Sequence, residues 1–286
     1  MTTTMYSHRD LMEDKIDLPN ELPILAHGDS WGSFGSALPW ITGSLFEQFD
    51  FGRDVGIVNY AMPGQLLRNL SDVNRYSKFN LAATLKGMPP WRALLVSGGG
   101  NDLIEWVRRG PGNELSHRIL RYSAEWLPAS LGAARYISQS GWVNLCTGMM
   151  VAYADFDAMR DKHHPDMTIV THVYDYMTPR YAPALKGAAG SWLAPEFMAA
   201  GIPKSDWTKV AHMLVDLFHD FLTRDVQTKI GGLLVLDTRD GATPAKVGTI
   251  GVSNDWANEI HLTRDGYAKV AASKCNAALK QLASSW

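Results

Sequence analysis

Cysteine is scarce in this chain: Cys146 and Cys275 are the only two among 286 residues. Their spacing is neither that of a redox pair nor that of a zinc ribbon, so a disulfide framework and a cysteine-built metal site are not expected, and both read as structural thiols. An excess of one charge is also missing. The 27 Lys and Arg stand against 29 Asp and Glu, and no long basic block is present, so no nucleic-acid partner is expected. No stretch approaches the roughly 18 apolar residues of a transmembrane segment, and Met1 to Lys15 lack the apolar core of a signal peptide. The expectation is a soluble protein, cytoplasmic by default, although export by another route would leave the same sequence. HExxH, a P-loop and a well-placed GxGxxG are absent, which leaves metalloprotease, nucleotidase and dinucleotide chemistry without a motif and implies no metal or organic cofactor. His163 and His164, beside Pro165, suit a helix end better than a metal site.

What the chain does have is 46% apolar residues arranged as short runs that alternate with helical periods. Leu22 to Gly28, Val55 to Tyr60, Arg92 to Ser97, Met167 to Val173 and Leu233 to Asp237 read as buried strands. Between them, Ala37 to Phe49 (with Pro39 near its start), parts of Gln65 to Lys86, and Leu145 to His163 read as helices. A further helix starts at Asp206 as cap and carries Val210, Met213, Leu214, Leu217, Phe218 and Phe221 at steps of three and four; the last runs from a Thr263 cap to Leu282. Alternation of this kind predicts a single three-layer α/β/α domain over residues 1–286, with a mostly parallel sheet of about five strands. Residues 1–20 are expected to form a surface arm, and 105–143 carry no clear pattern. Residues 174–205, rich in proline, glycine and aromatics, form an insertion suited to a lid or substrate wall.

The residues that carry chemistry follow the carboxyl ends of these strands, where open α/β sheets place their ligands. They are Gly28-Asp29-Ser30, then Gly64 in the loop after Asn59, then Asn101 and Asp102 after the triplet Gly98 to Gly100, and finally His261 after Asn258, Glu259 and Ile260. In this order the four blocks resemble the GDSL-type esterases and lipases of the SGNH hydrolase superfamily. The resemblance implies a flavodoxin-like fold, Ser30 as nucleophile, His261 as its base, and an oxyanion hole from the backbone N–H of Ser30, the backbone N–H of Gly64 and the side-chain amide of Asn101. The chain departs from the family three residues before the histidine, where Asn258 stands in place of Asp. Asn258, Glu259 and, less readily, Asp255 remain alternatives for the group that orients His261, as does a Ser-His dyad leaning on a backbone carbonyl.

A serine hydroxyl attacks an ester only with a base in reach, and the oxyanion that forms must meet donors placed in advance. The expected function is therefore hydrolysis of a carboxylic ester, whether of a lipid, a small acyl compound or an O-acylated carbohydrate, through an acyl-Ser30 intermediate. Two alternatives are a carbohydrate- or lipid-binding module of the same fold that has lost the charged member, and an acyltransferase. Asp29 is expected to brace its turn. His172, Tyr174 and Asp175, just past the fourth run, are candidate substrate-binding residues, with Tyr176, Tyr181 and Trp192 further along the insertion. Gly28 to Gly32 also fit GxSxG, but 29 preceding residues cannot supply the strands an α/β-hydrolase needs before its serine.

Overall fold

The computed structural model describes residues 2–16, 20–33, 43–72, 75–184 and 190–286. Six strands form one sheet: β1 (Thr3–Tyr6), β2 (Leu22–Gly28), β3 (Val55–Asn59), β4 (Ala93–Ser97), β5 (Thr168–His172) and β6 (Leu233–Leu236). Their order is β1-β3-β2-β4-β5-β6, and every neighbouring pair is parallel. The sequence predicts five of them. The sixth, β1, replaces the expected surface arm: Thr3 to Tyr6 pair with Val55 to Val58 along the sheet edge. Its four residues are all half-buried, so it has neither the continuous apolar run of an inner strand nor a clean alternation, and the pattern does not announce it. The arm then turns into a short helix, His8–Met12, whose Ser7 and Asp10 form a capping box.

The inner strands are continuous apolar runs because both faces are covered. Ile24, Leu25, Ala26, Leu94, Leu95 and Val96 have no exposed surface. On one face the long helix Gln139–His163 packs against the short helices Leu67–Leu70, Ser77–Thr84 and Gly100–Val107. Phe79 and Phe156 meet there edge to face, with ring centroids 6.2 Å apart. On the other face lie the helical turns after β2 and the C-terminal helical run Arg264–Ala283. Trp31 meets Tyr267 there at 5.2 Å, and Phe51 meets Trp286 at 5.7 Å.

Helix boundaries follow local chemistry. Ser138 caps Gln139–His163 by accepting from Gly141 N, and Thr263 caps Arg264–Val270 by accepting from Gly266 N. Asp206 stands at the start of Trp207–Asp220 but does not cap it. Its carboxylate accepts from the Tyr136 hydroxyl at 2.7 Å instead. The patternless 105–143 holds three 3-10 turns, Leu115–His117, Ser123–Glu125 and Ala129–Tyr136. Of the helix expected over Ala37 to Phe49, residues 37–42 lie outside the described residues, and over 43–49 the structure has only a 3-10 turn, Phe46–Gln48. Cys146 and Cys275 are both free thiols, and no helix among the described residues is long and apolar enough to cross a membrane.

The connection from β2 runs to β3 on one side, whereas the next crossover returns past β2 to β4 on the other. The carboxyl ends of β2 and β4 therefore flank the point where the winding reverses, which opens a crevice there. Ser30 follows β2, and Asn101 follows β4.

Candidate active site

β2 ends at Gly28 because β4 passes too close for any side chain. A Cβ on Gly28 would lie 2.3 Å from the carbonyl oxygen of Ser97. Asp29 N donates to that same carbonyl at 2.8 Å, and the chain turns directly into the one-turn helix Ser30–Ser33. The Asp29 carboxylate holds the turn. Its Oδ1 accepts from Trp31 N at 3.0 Å and from Ser97 Oγ at 2.7 Å, and its Oδ2 accepts from the Tyr174 hydroxyl at 2.5 Å. With every contact taken and 2% of its surface exposed, Asp29 braces the serine.

His261 comes from a tight loop that closes on itself. Trp256 bridges Ser253 and Leu262, and Ala257 N donates to the His261 carbonyl at 2.9 Å. Trp31, the neighbour of Ser30, ties the two segments together by donating its indole N–H to the Ile260 carbonyl at 3.0 Å. Across 231 positions of sequence, His261 Nε2 meets Ser30 Oγ at 2.7 Å. Burial pushes the His261 imidazole down to about 3, which keeps it neutral.

Of the three alternatives, Asn258 is the one beside the imidazole. Asn258 Oδ1 lies 3.0 Å from His261 Nδ1 and also accepts from the backbone N–H of Ile260 and of His261, at 3.0 and 2.9 Å. Two backbone donors identify that atom as the amide oxygen, so Nδ1 carries the proton and Nε2 offers its lone pair to Ser30. Glu259 points away. It has no exposed surface and accepts from the backbone N–H groups of Arg180 (3.0 Å), Trp192, Leu193 (2.9 Å) and Ala194 (2.9 Å). That set fastens both arms of the 174–205 insertion to the histidine loop. Burial still raises the Glu259 carboxyl above its usual range against the pull of these amides. Asp255 accepts from Thr243 N at 2.6 Å and Lys269 Nζ at 3.0 Å, away from His261.

The loop after β3 reaches the serine through the sheet. Met62 N donates to the Gly28 carbonyl at 2.9 Å, and Asn59 Nδ2 to the Gly32 carbonyl at 2.9 Å. Gly64 follows with φ +78°, a conformation glycine adopts without cost. Asn101 Nδ2 donates to the Gln65 carbonyl at 3.0 Å, which uses one of its two amide hydrogens. Asp102, with no exposed surface, accepts from Leu67 N at 2.6 Å and so caps the earlier helix Leu67–Leu70. Burial pushes its carboxyl up to about 6. Asp102 is thus a brace between the loops of Gly64 and Asn101, a role that its place at a helix start did not reveal.

Ser30 and Asn101 both line one pocket. Its wall includes Leu103, Ile104, Met177, Leu193, Leu214 and Phe218. Of the three candidate substrate-binding residues, only Tyr174 lines this pocket. Asp175 accepts from Tyr176 N and Ala242 N, both at 2.7 Å, and pins the end of β5 to the loop after β6. His172 has 1% of its surface exposed, with Nδ1 2.8 Å from the Val173 carbonyl and Nε2 2.9 Å from Ser97 Oγ. Both therefore belong to the interior, because the backbone at the end of β5 turns their side chains under the sheet edge. Of the other aromatics, Trp192 presents its edge to the His261 ring at 5.6 Å, whereas Tyr176 stacks on His212 and Tyr181 is exposed. No group of three or more His, Cys, Asp or Glu that could hold a metal occurs among the described residues.

No protein-family profile and no curated protein sequence matches the chain. Among solved structures, it is similar to the extracellular lipase of Streptomyces rimosus, at 13% identity and a TM-score of 0.43 over 88% of this chain and 99% of that one. A lipase from a goat rumen metagenome is similar at 11% identity and a TM-score of 0.48, over 88% and 94%. A carbohydrate acetylesterase from Sinorhizobium meliloti is similar at 15% identity and a TM-score of 0.45, over 93% and 100%.

Proposed function

We propose that this protein is a serine ester hydrolase that works through an acyl-Ser30 intermediate. The observation that carries the reading is the 2.7 Å contact between His261 Nε2 and Ser30 Oγ, with Nδ1 held by Asn258. In the neutral imidazole the Nε2 lone pair takes the serine proton as Oγ attacks the ester carbonyl. The proton then passes to the departing alcohol, and the same nitrogen activates water to release the acid. The backbone N–H of Ser30, the backbone N–H of Gly64 and the second amide hydrogen of Asn101 are the donors for the oxyanion, each worth on the order of 3 kcal/mol.

Asn258 fixes the tautomer but brings no charge to the imidazolium formed in the transition state. That neutrality is what favours a second reading, a binding module that keeps the fold without turnover. Initial rates on p-nitrophenyl acetate and butyrate, for the wild type beside Ser30→Ala and His261→Ala, separate the two. The hydrolase reading expects both variants to lose on the order of a thousandfold or more. Wild-type rates no higher than those of the variants, together with failure of a serine-reactive phosphonate to label Ser30, would leave the binding module.

A further inference from the structure

Between β6 and the histidine loop the chain runs Lys246-Val-Gly-Thr-Ile-Gly-Val252. Val247, Ile250 and Val252 in this stretch have 78%, 78% and 61% of their surface exposed. They are the three most exposed large apolar side chains among the described residues, and they fall within six consecutive positions. Single exposed apolar residues are ordinary on a protein surface, whereas a cluster marks a contact.

The loop is held in this shape by its polar groups. Lys246 N donates to Ser253 Oγ at 3.0 Å, and Thr249 Oγ1 donates to the Lys246 carbonyl at 2.7 Å. A buried side chain braces it as well. Arg180, with 1% of its surface exposed, donates from Nη1 to the Gly251 carbonyl and from Nη2 to the Asn258 carbonyl at 2.6 Å. The carbonyls of Lys246 and Gly251 and the Thr249 hydroxyl are thus bonded, and what the loop offers outward is aliphatic. Because one guanidinium holds both Gly251 and Asn258, the loop stands beside the segment that carries His261. Met62, in the loop after β3, is a further exposed apolar side chain at the carboxyl edge of the sheet.

Shape, area and charge choose the occupant. Side chains exposed to 78% stand clear of their neighbours, so this surface is convex and has no groove for a peptide or a glycan. Three such side chains are too few for the roughly 800 Å² per partner that a stable protein interface buries, which sets aside a second copy of the chain. Lys246 is the one charged residue from 246 to 254, and a lysine beside apolar tips reaches phosphate while they stay in hydrocarbon. We propose that residues 246–252 dock the protein on a phospholipid bilayer. Val247, Ile250 and Val252 enter the boundary between headgroups and acyl chains, and Lys246 meets the phosphates. So docked, the protein turns the His261 segment toward the lipid. The proposal goes beyond the hydrolase reading and does not depend on it.

The test is cosedimentation of the whole chain with vesicles of ether-linked dialkyl phosphatidylcholine containing about one fifth of the matching phosphatidylglycerol, an anionic surface of the kind a lysine favours. An esterase cannot cleave ether lipids, so binding is read whether or not the hydrolase reading holds. Val247→Ser, Ile250→Ser, Val252→Ser and the triple variant stand beside the wild type, with circular dichroism melts to show that each is folded. The wild type is expected to partition onto the vesicles. One apolar carbon withdrawn from a lipid boundary is worth about fourfold, so each single variant should lose about fourfold and the triple variant roughly fiftyfold. The single variants decide the matter if the triple variant does not fold. Wild-type protein left in the supernatant at millimolar lipid, or folded variants that partition as the wild type does, overturns the proposal. A wild-type dimer in sedimentation velocity that the variants lose assigns the patch to a second copy and likewise overturns it.

Discussion

Restoring a carboxylate beside His261 should make the protein faster near neutral pH and less tolerant of acid. In Asn258→Asp the new oxygen would take the place of Asn258 Oδ1, 3.0 Å from Nδ1 and already supplied with two backbone N–H donors. A carboxylate and an imidazolium with charge centres about 4 Å apart attract by about 4 kcal/mol at an effective dielectric of 20. At 1.36 kcal/mol per pKa unit this equals about three units, so His261 should rise from about 3 to about 6. The same attraction acts on the imidazolium in the transition state, where about 4 kcal/mol sets an upper limit near a thousandfold. Desolvation of the new carboxylate, at a site with 2% exposure, reduces the gain, so about ten- to a hundredfold is expected at pH 8. The sign for acid is the reverse. Only neutral imidazole serves as base, so the wild type should hold kcat/KM for p-nitrophenyl acetate nearly flat down to about pH 4. Asn258→Asp should fall tenfold per pH unit below about 6. Coincident acid limbs in the two proteins, or a folded Asn258→Asp no faster at pH 8, would refute the electrostatic account of the site.

Glu259 and His27 supply two further outcomes. Glu259→Gln keeps one acceptor oxygen where four backbone donors converge and turns an amide group toward the rest. Unmade buried hydrogen bonds cost about 1–3 kcal/mol each, so a loss of about 3 kcal/mol and a fall in Tm of roughly 6 to 12 °C are expected; an unchanged melting curve would remove Glu259 as the fastening of the insertion. His27 is buried and stacked on Phe79 at 4.4 Å, and desolvation pushes it down to about 4 from 6.5. Its folded pKa lies below its unfolded one, so the stability it contributes is present above pH 6.5 and is lost as pH falls from 6.5 to 4, about 3 kcal/mol in all. His27→Leu should flatten that part of the stability-against-pH curve measured by urea unfolding, and an equal slope in both proteins would contradict it.

Residues that act through the backbone of their own strand or turn were legible in the chain. Leu22 to Gly28 and Ala93 to Ser97 read as inner strands because parallel strands covered on both faces must be apolar throughout. Ser30 stood out because it follows such a run, where open α/β sheets place their ligands; Gly64, Asn101 and His261 stood out because, in that order, they resemble the blocks of a known family. Residues whose role depends on a distant partner were not legible. Trp31 looked like one aromatic among many until its indole met the Ile260 carbonyl. Asp102 had no role in the sequence until its carboxylate met Leu67 N, 35 positions away. β1 was hidden because an edge strand needs only one neighbour and little apolar surface.

The choice among Asn258, Glu259 and Asp255 shows where that division lies. The three lie within five consecutive positions, and spacing alone left them open. The loop decided: its closure through Ala257 and the His261 carbonyl puts Asn258 beneath the imidazole, sends Glu259 into the insertion and leaves Asp255 with Lys269. By itself the sequence determined the alternation of buried strands and helices and the residue types at the strand ends, because periodicity and backbone conformation are local properties. Only the tertiary structure decided which of those residues meet, since a hydrogen bond of 2.7 Å between positions 30 and 261 depends on the summed path of every element between them.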